Sequence, residues 1–69
     1  MNTINTISKG TKFTIVNLSD LINQTGLLTV STIVIFGGYN KFAKGYSFYT
    51  EDFKIQGNLK KGSEVNVIN

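Results

Sequence analysis

The sequence predicts an all-β fold: a small five-stranded barrel, OB-like more than SH3-like, with at most one short helical turn near residues 19–25. Three observations point there. Short stretches rich in β-branched and aromatic residues recur at the spacing of about 8–12 residues typical of small barrels. Seven glycines, at positions 10, 26, 37, 38, 45, 57 and 62, punctuate those stretches. No long stretch carries the apolar period of a helix. With 69 residues there is room for one domain. Residues 1–9 read as a polar N-terminal arm or strand extension, and residues 10–69 as the barrel.

The first strand runs from Lys12 to Leu18. Phe13 and Ile15 share one face there, and Lys12 and Thr14 the other. Ser19 to Gly26 reads as one helical turn or a wide loop, with Ser19 as N-cap and Gly26 as stop. Six residues between caps are too few for a stable helix on their own. Leu27 to Phe36 reads as the longest strand, with Leu28, Val30, Val34 and Phe36 on one face, and Gly37 and Gly38 end it or bend it sharply.

Residues 37–45 form a glycine-bounded loop holding Tyr39, Lys41, Phe42 and Lys44. Tyr46 to Tyr49 is the next strand, with Tyr46 and Phe48 in phase. Phe53 and Ile55 are out of phase with them, which requires a turn or bulge at Thr50 to Asp52. Phe53 to Gln56 is then a fourth strand, and Gly57 to Gly62 a turn. Glu64 to Ile68 is the fifth, with Val65 and Val67 inward and Glu64 and Asn66 outward. Phe36, Phe48 and Phe53 are the natural aromatic core.

Composition excludes most chemistry. The chain contains no Cys, His, Trp, Pro or Arg. Without Cys or His there is no disulfide framework, thiol nucleophile, imidazole base or ordinary zinc site. Glu51 and Asp52 are adjacent, so on a strand they would point to opposite faces and make a poor acid/base or metal pair. Gly37 and Gly38 followed by Gly45 lack the Gly-Lys-Ser/Thr ending of a phosphate loop. The expectation is a non-catalytic protein with no cofactor and no metal.

Seven Lys against four acidic residues give a net charge of +3, a modest bias towards polyanions. The longest apolar run, Ile33 to Phe36, is far below the ~20 residues of a membrane helix. The polar first ten residues lack the apolar core of a signal peptide, so a cytoplasmic location without membrane contact is expected. A domain this small usually needs a staple, and a homo-oligomer would supply the burial that disulfides and metals do not. Lys in place of Arg, with abundant Asn, Ile and Thr, fits an AT-rich coding sequence, as in a low-GC bacterium or its phage or plasmid.

One constellation stands above this background. Seven of the eight aromatic residues fall between Phe36 and Phe53, with Lys41, Lys44 and Lys54 in or beside that stretch. Exposed rings stack on bases for about 1–3 kcal/mol each while lysines follow the phosphates. The candidate nucleic-acid-binding set is therefore Tyr39, Lys41, Phe42, Lys44, Tyr46, Tyr49, Lys54, Lys60 and Lys61. The absence of Arg and of a recognition helix argues against reading duplex sequence, and favours single-stranded DNA or RNA. Two other readings use the same composition. Exposed tyrosines also serve protein interfaces, as in a small phage or plasmid inhibitor of a host protein machine. The apolar residues Leu27, Ile33 and Ile35 would otherwise be subunit contacts of a structural assembly protein.

Overall fold

A computed structural model describes residues 2–68. Met1 of the N-terminal arm and Asn69 at the end of the barrel segment lie outside the described residues. The fold is all-β. Its strands are β1 (Asn2–Thr3), β2 (Lys12–Ile15), β3 (Leu21–Gln24), β4 (Val34–Asn40), β5 (Gly45–Tyr49), β6 (Gln56–Leu59) and β7 (Glu64–Val67). Two three-residue 3-10 turns, Ile4–Thr6 and Leu18–Asp20, are its helical segments. All seven strands form one antiparallel sheet in the order β1-β7-β2-β4-β5-β6-β3. The sheet is open, with β1 and β3 at its edges, and has two more strands than expected.

The sheet is strongly rolled, and chain connectivity shows why. Three strands separate β7 from β6 in the series β7-β2-β4-β5-β6, and the four inter-strand spacings amount to about 19 Å across a flat sheet. Yet a four-residue turn joins them, closed by the Ser63 N–H donating to the Lys60 carbonyl at 3.2 Å. The ends of such a turn lie within about 7 Å of each other, so the sheet must curl.

Inside the roll, Ile4, Phe13, Ile15, Val34, Phe48, Leu59 and Val65 are almost completely removed from solvent. Phe13 and Phe48 meet edge to face, with centroids 6.4 Å apart. Each such side chain contributes roughly 1.5–3 kcal/mol by burial. The inward phase of Phe13 and Ile15, of Tyr46 with Phe48, and of Val65 follows the alternation read from the sequence.

Four expectations need correction. Residues 27–33 are not strand. Leu28 is buried there, but Thr29, Ser31 and Thr32 close a turn of their own: the Thr29 N–H donates to Thr32 Oγ1 and the Ser31 N–H to Thr29 Oγ1, each at 3.2 Å. Hydroxyl side chains thus take backbone groups away from a ladder. Secondly, β4 continues through Gly37 and Gly38 with a bulge, where the register shifts between Phe36 and Gly38 and Gly38 has φ +97°. Thirdly, only Leu18–Asp20 is helical in the 19–25 region, and Leu21–Gln24 instead pairs with β6 as an edge strand. Fourthly, the strand expected at residues 53–56 lies at Gln56–Leu59, and Phe53 is outside the core at 66% exposure.

Candidate nucleic-acid interface

The structure divides the nine candidate residues into two groups. Tyr39, Lys41, Phe42, Lys44 and Tyr46 gather at the β4–β5 hairpin. Its tip, residues 41–44, is organised by the Asn40 side chain, whose Oδ1 accepts the N–H groups of Phe42 (3.0 Å) and Ala43 (3.3 Å). Lys44 closes the tip in the left-handed region, with φ +55°. Asn before such a turn is the usual local solution, because its carbonyl imitates the backbone.

This geometry displays the aromatic groups in a graded way. Phe42, at 89% exposure, stands almost wholly in solvent, and the Lys41 ammonium lies 5.7 Å from its ring centroid. Tyr39 is 58% exposed and is paired across the ladder with Tyr46. Their rings meet edge to face at 5.1 Å, and Tyr46 stacks in turn on Phe36 at 6.3 Å. Tyr46 is half-buried, so it braces Tyr39 against the core rather than offering a free face of its own.

Two further cations approach the same hairpin. Lys60 follows Leu59, which pairs with Tyr46, so the chain leaves β6 beside Gly45 and Lys44. Lys61 is exposed in the same turn. Lys60 is already engaged, with its ammonium 3.5 Å from Asp20. Lys9 also belongs here: a Cβ at Gly38 would lie 3.1 Å from Lys9 Cε, so the lysine stem lies across the hairpin where glycine leaves room. Lys9 stands outside the nine candidate residues, because the face it joins is not readable from its place beside the first strand. The glycine pair at the bulge was the signal that something crosses there.

Tyr49 and Lys54 fall elsewhere. Three residues after Tyr46, Tyr49 points to the opposite, convex side of the sheet, where it stacks on Phe53 at 5.3 Å. Lys54 lies in the turn between β5 and β6. There the Thr50 hydroxyl donates to the Asp52 carboxylate at 2.6 Å and the Lys54 N–H donates to it at 3.0 Å. These hydrogen bonds, the hydroxyl first, hold the Asp52 carboxyl below its usual range.

Among the described residues no cluster of three or more His, Cys, Asp or Glu could hold a metal ion. Among them no helix is long and apolar enough to cross a membrane. No protein-family model matches the chain, and no curated protein or solved structure matches it.

Proposed function

We propose that the β4–β5 hairpin binds single-stranded nucleic acid without catalysing a reaction. The observation that carries this reading is Phe42, an aromatic ring standing in solvent between Lys41 and Lys44, with Tyr39 beside it. Burial cannot explain an aromatic side chain at that position. A base stacked on Phe42 and a second on Tyr39 would place the intervening phosphates among Lys9, Lys41, Lys44 and Lys61. In this reading Tyr46 supports Tyr39, and Lys60 is held back by Asp20. Tyr49 and Lys54 take no part. The rolled sheet acts as the rigid base, in a partly open SH3-like rather than OB-like barrel. Supporting that choice, the helical segments among the described residues are two three-residue 3-10 turns, Ile4–Thr6 and Leu18–Asp20, and neither lies between β4 and β7.

Replacement of Phe42 by Ala tests the reading directly. The ring is exposed, so thermal stability should stay unchanged. Affinity for a mixed-sequence single-stranded oligonucleotide should fall by about 5- to 150-fold, the equivalent of one lost stacking contact. Equal affinity in the variant and the parent would overturn the assignment.

A protein-binding module is the second reading. It is favoured by the segment from Thr25 to Ile33, which carries no charge and exposes Leu27 at 92%. Failure of every oligonucleotide to bind at low salt would select it.

A further inference from the structure

The convex face of the sheet carries an apolar strip far from the hairpin tip. Ile68, one residue past β7, and Lys12, Ile35 and Tyr49 of β2, β4 and β5 lie side by side. The Ile68 N–H donates to the Lys12 carbonyl at 2.9 Å, Lys12 pairs with Ile35, and Ile35 pairs with Tyr49. Together with Ile33 and Glu51, the first three line a groove of about 330 Å³. Ile33, Ile68 and Phe53 are all exposed large apolar side chains.

Two observations indicate what covers this strip. The groove holds one cation and one anion, Lys12 and Glu51, joined by a loose 3.8 Å contact between largely exposed side chains. An acidic partner would leave Glu51 opposed, and a basic partner would leave Lys12 opposed. A face carrying both signs side by side complements its own copy turned about a twofold axis. The second observation is Phe53, whose φ of +61° is an uncommon conformation for a bulky side chain. That backbone holds the ring outward, stacked parallel to Tyr49 at an interplanar angle of 11°. The turn itself fixes that conformation, with the Phe53 N–H donating to the Thr50 carbonyl at 2.8 Å, and it leaves the ring beside the groove as apolar surface that a second copy would cover.

We propose that this face is a twofold self-association surface. Two copies bring their Ile33, Ile35 and Ile68 grooves together under the Phe53 rings, and Lys12 of each copy pairs with Glu51 of the other. A standard interface takes about 800 Å² from each partner, close to a fifth of the 4345 Å² this chain exposes. The surface shares no residue with the proposed binding set of Lys9, Tyr39, Lys41, Phe42, Lys44, Tyr46 and Lys61, so this proposal stands independently of the nucleic-acid reading.

Charge reversal, followed by sedimentation equilibrium, tests it. The parent should be dimeric at micromolar concentration. Lys12→Glu alone and Glu51→Lys alone each place like charges across the twofold axis, and each should weaken the dimer by about tenfold or more. An equimolar mixture of the two variants should restore dimers, because each then meets its opposite at both contacts. Phe53→Gly should raise the melting temperature of the monomer by relieving the backbone, and weaken the dimer. A parent that stays monomeric up to about 1 mM, the weakest association of interest, would overturn the proposal. So would dimers that survive both single reversals, or a mixture no more dimeric than its components.

Discussion

Replacing Gly57 by Ala should loosen the β3 edge of the sheet. A Cβ on Gly57 would lie 2.5 Å from the Asn23 carbonyl oxygen and 2.8 Å from Phe48 Cζ. The first contact is about 0.9 Å short of ordinary van der Waals contact, which begins near 3.4 Å. Neither neighbour can simply rotate away. The oxygen belongs to the backbone of β3, and Phe48 is locked in the core against Phe13. Strand β3 must therefore move off β6, straining the Gln24–Gly57 and Asn23–Asn58 pairs and the Thr25 N–H bond to the Gln56 carbonyl.

Overpacking of this kind costs about 1–3 kcal/mol. The loss of glycine's freedom in the unfolded chain returns about 0.4–1 kcal/mol. The net cost of roughly 1–2 kcal/mol corresponds to a fall in melting temperature of about 5–15 °C for a domain of this size. Thermal denaturation followed by circular dichroism measures it, and amide exchange at Thr25 should accelerate more than exchange in β2. An unchanged melting temperature with unchanged Thr25 protection would refute the close approach of β3 to β6.

Other perturbations have outcomes fixed by the same structure. Phe48→Ala removes the edge-to-face partner of Phe13 and should cost about 3–5 kcal/mol, visible as a large drop in the urea midpoint. For a domain of this length that is much of the total stability, since folded proteins hold only about 0.05–0.15 kcal/mol per residue. The pH dependence should show Asp52. Its folded carboxyl titrates below its unfolded value, so its contribution is present above the unfolded pKa and is lost as pH falls through the lowered one. Thr50→Val removes the 2.6 Å hydroxyl donor, and carboxyl chemical shifts should then report an Asp52 pKa moved back upward.

The sequence made the phases of the strands legible, and left much of their extent hidden. Alternation at Phe13 and Ile15, and at Tyr46 and Phe48, identified the inward face because a side chain on a pleated strand has only two directions available. The same alternation misplaced Leu27 to Ile33. β-branched residues satisfy a strand pattern, but the hydroxyls of Thr29 and Thr32 offered a local turn that needs no partner strand. Gly57 was read as punctuation for a turn. It is a strand residue whose missing side chain admits Phe48 and the β3 backbone, and the β3 residues it makes room for lie more than thirty positions away.

Phe53 was expected inside because its hydrophobicity says nothing about backbone conformation, and its left-handed φ turns the ring outward. For the candidate interface, the aromatic and basic cluster was visible as composition. Its partition was not. One bulge at Gly37 and the turn after Tyr49 decide that Tyr39 and Phe42 share an end with Lys44, while Tyr49 occupies the convex face.

The central claim is that the hairpin is a single-strand binding site, and a salt titration tests it most directly. Fluorescence anisotropy of a labelled mixed-sequence single-stranded oligonucleotide would be recorded at low and at physiological salt, with the duplex in parallel. The four phosphate contacts of Lys9, Lys41, Lys44 and Lys61 give a slope of about −3 in log K against log salt for a single strand. Affinity should then fall by about 50- to 100-fold between 50 and 200 mM salt, with the duplex binding less well at each point. Absence of binding at the lowest salt, where a net charge of +3 helps most, would contradict the account.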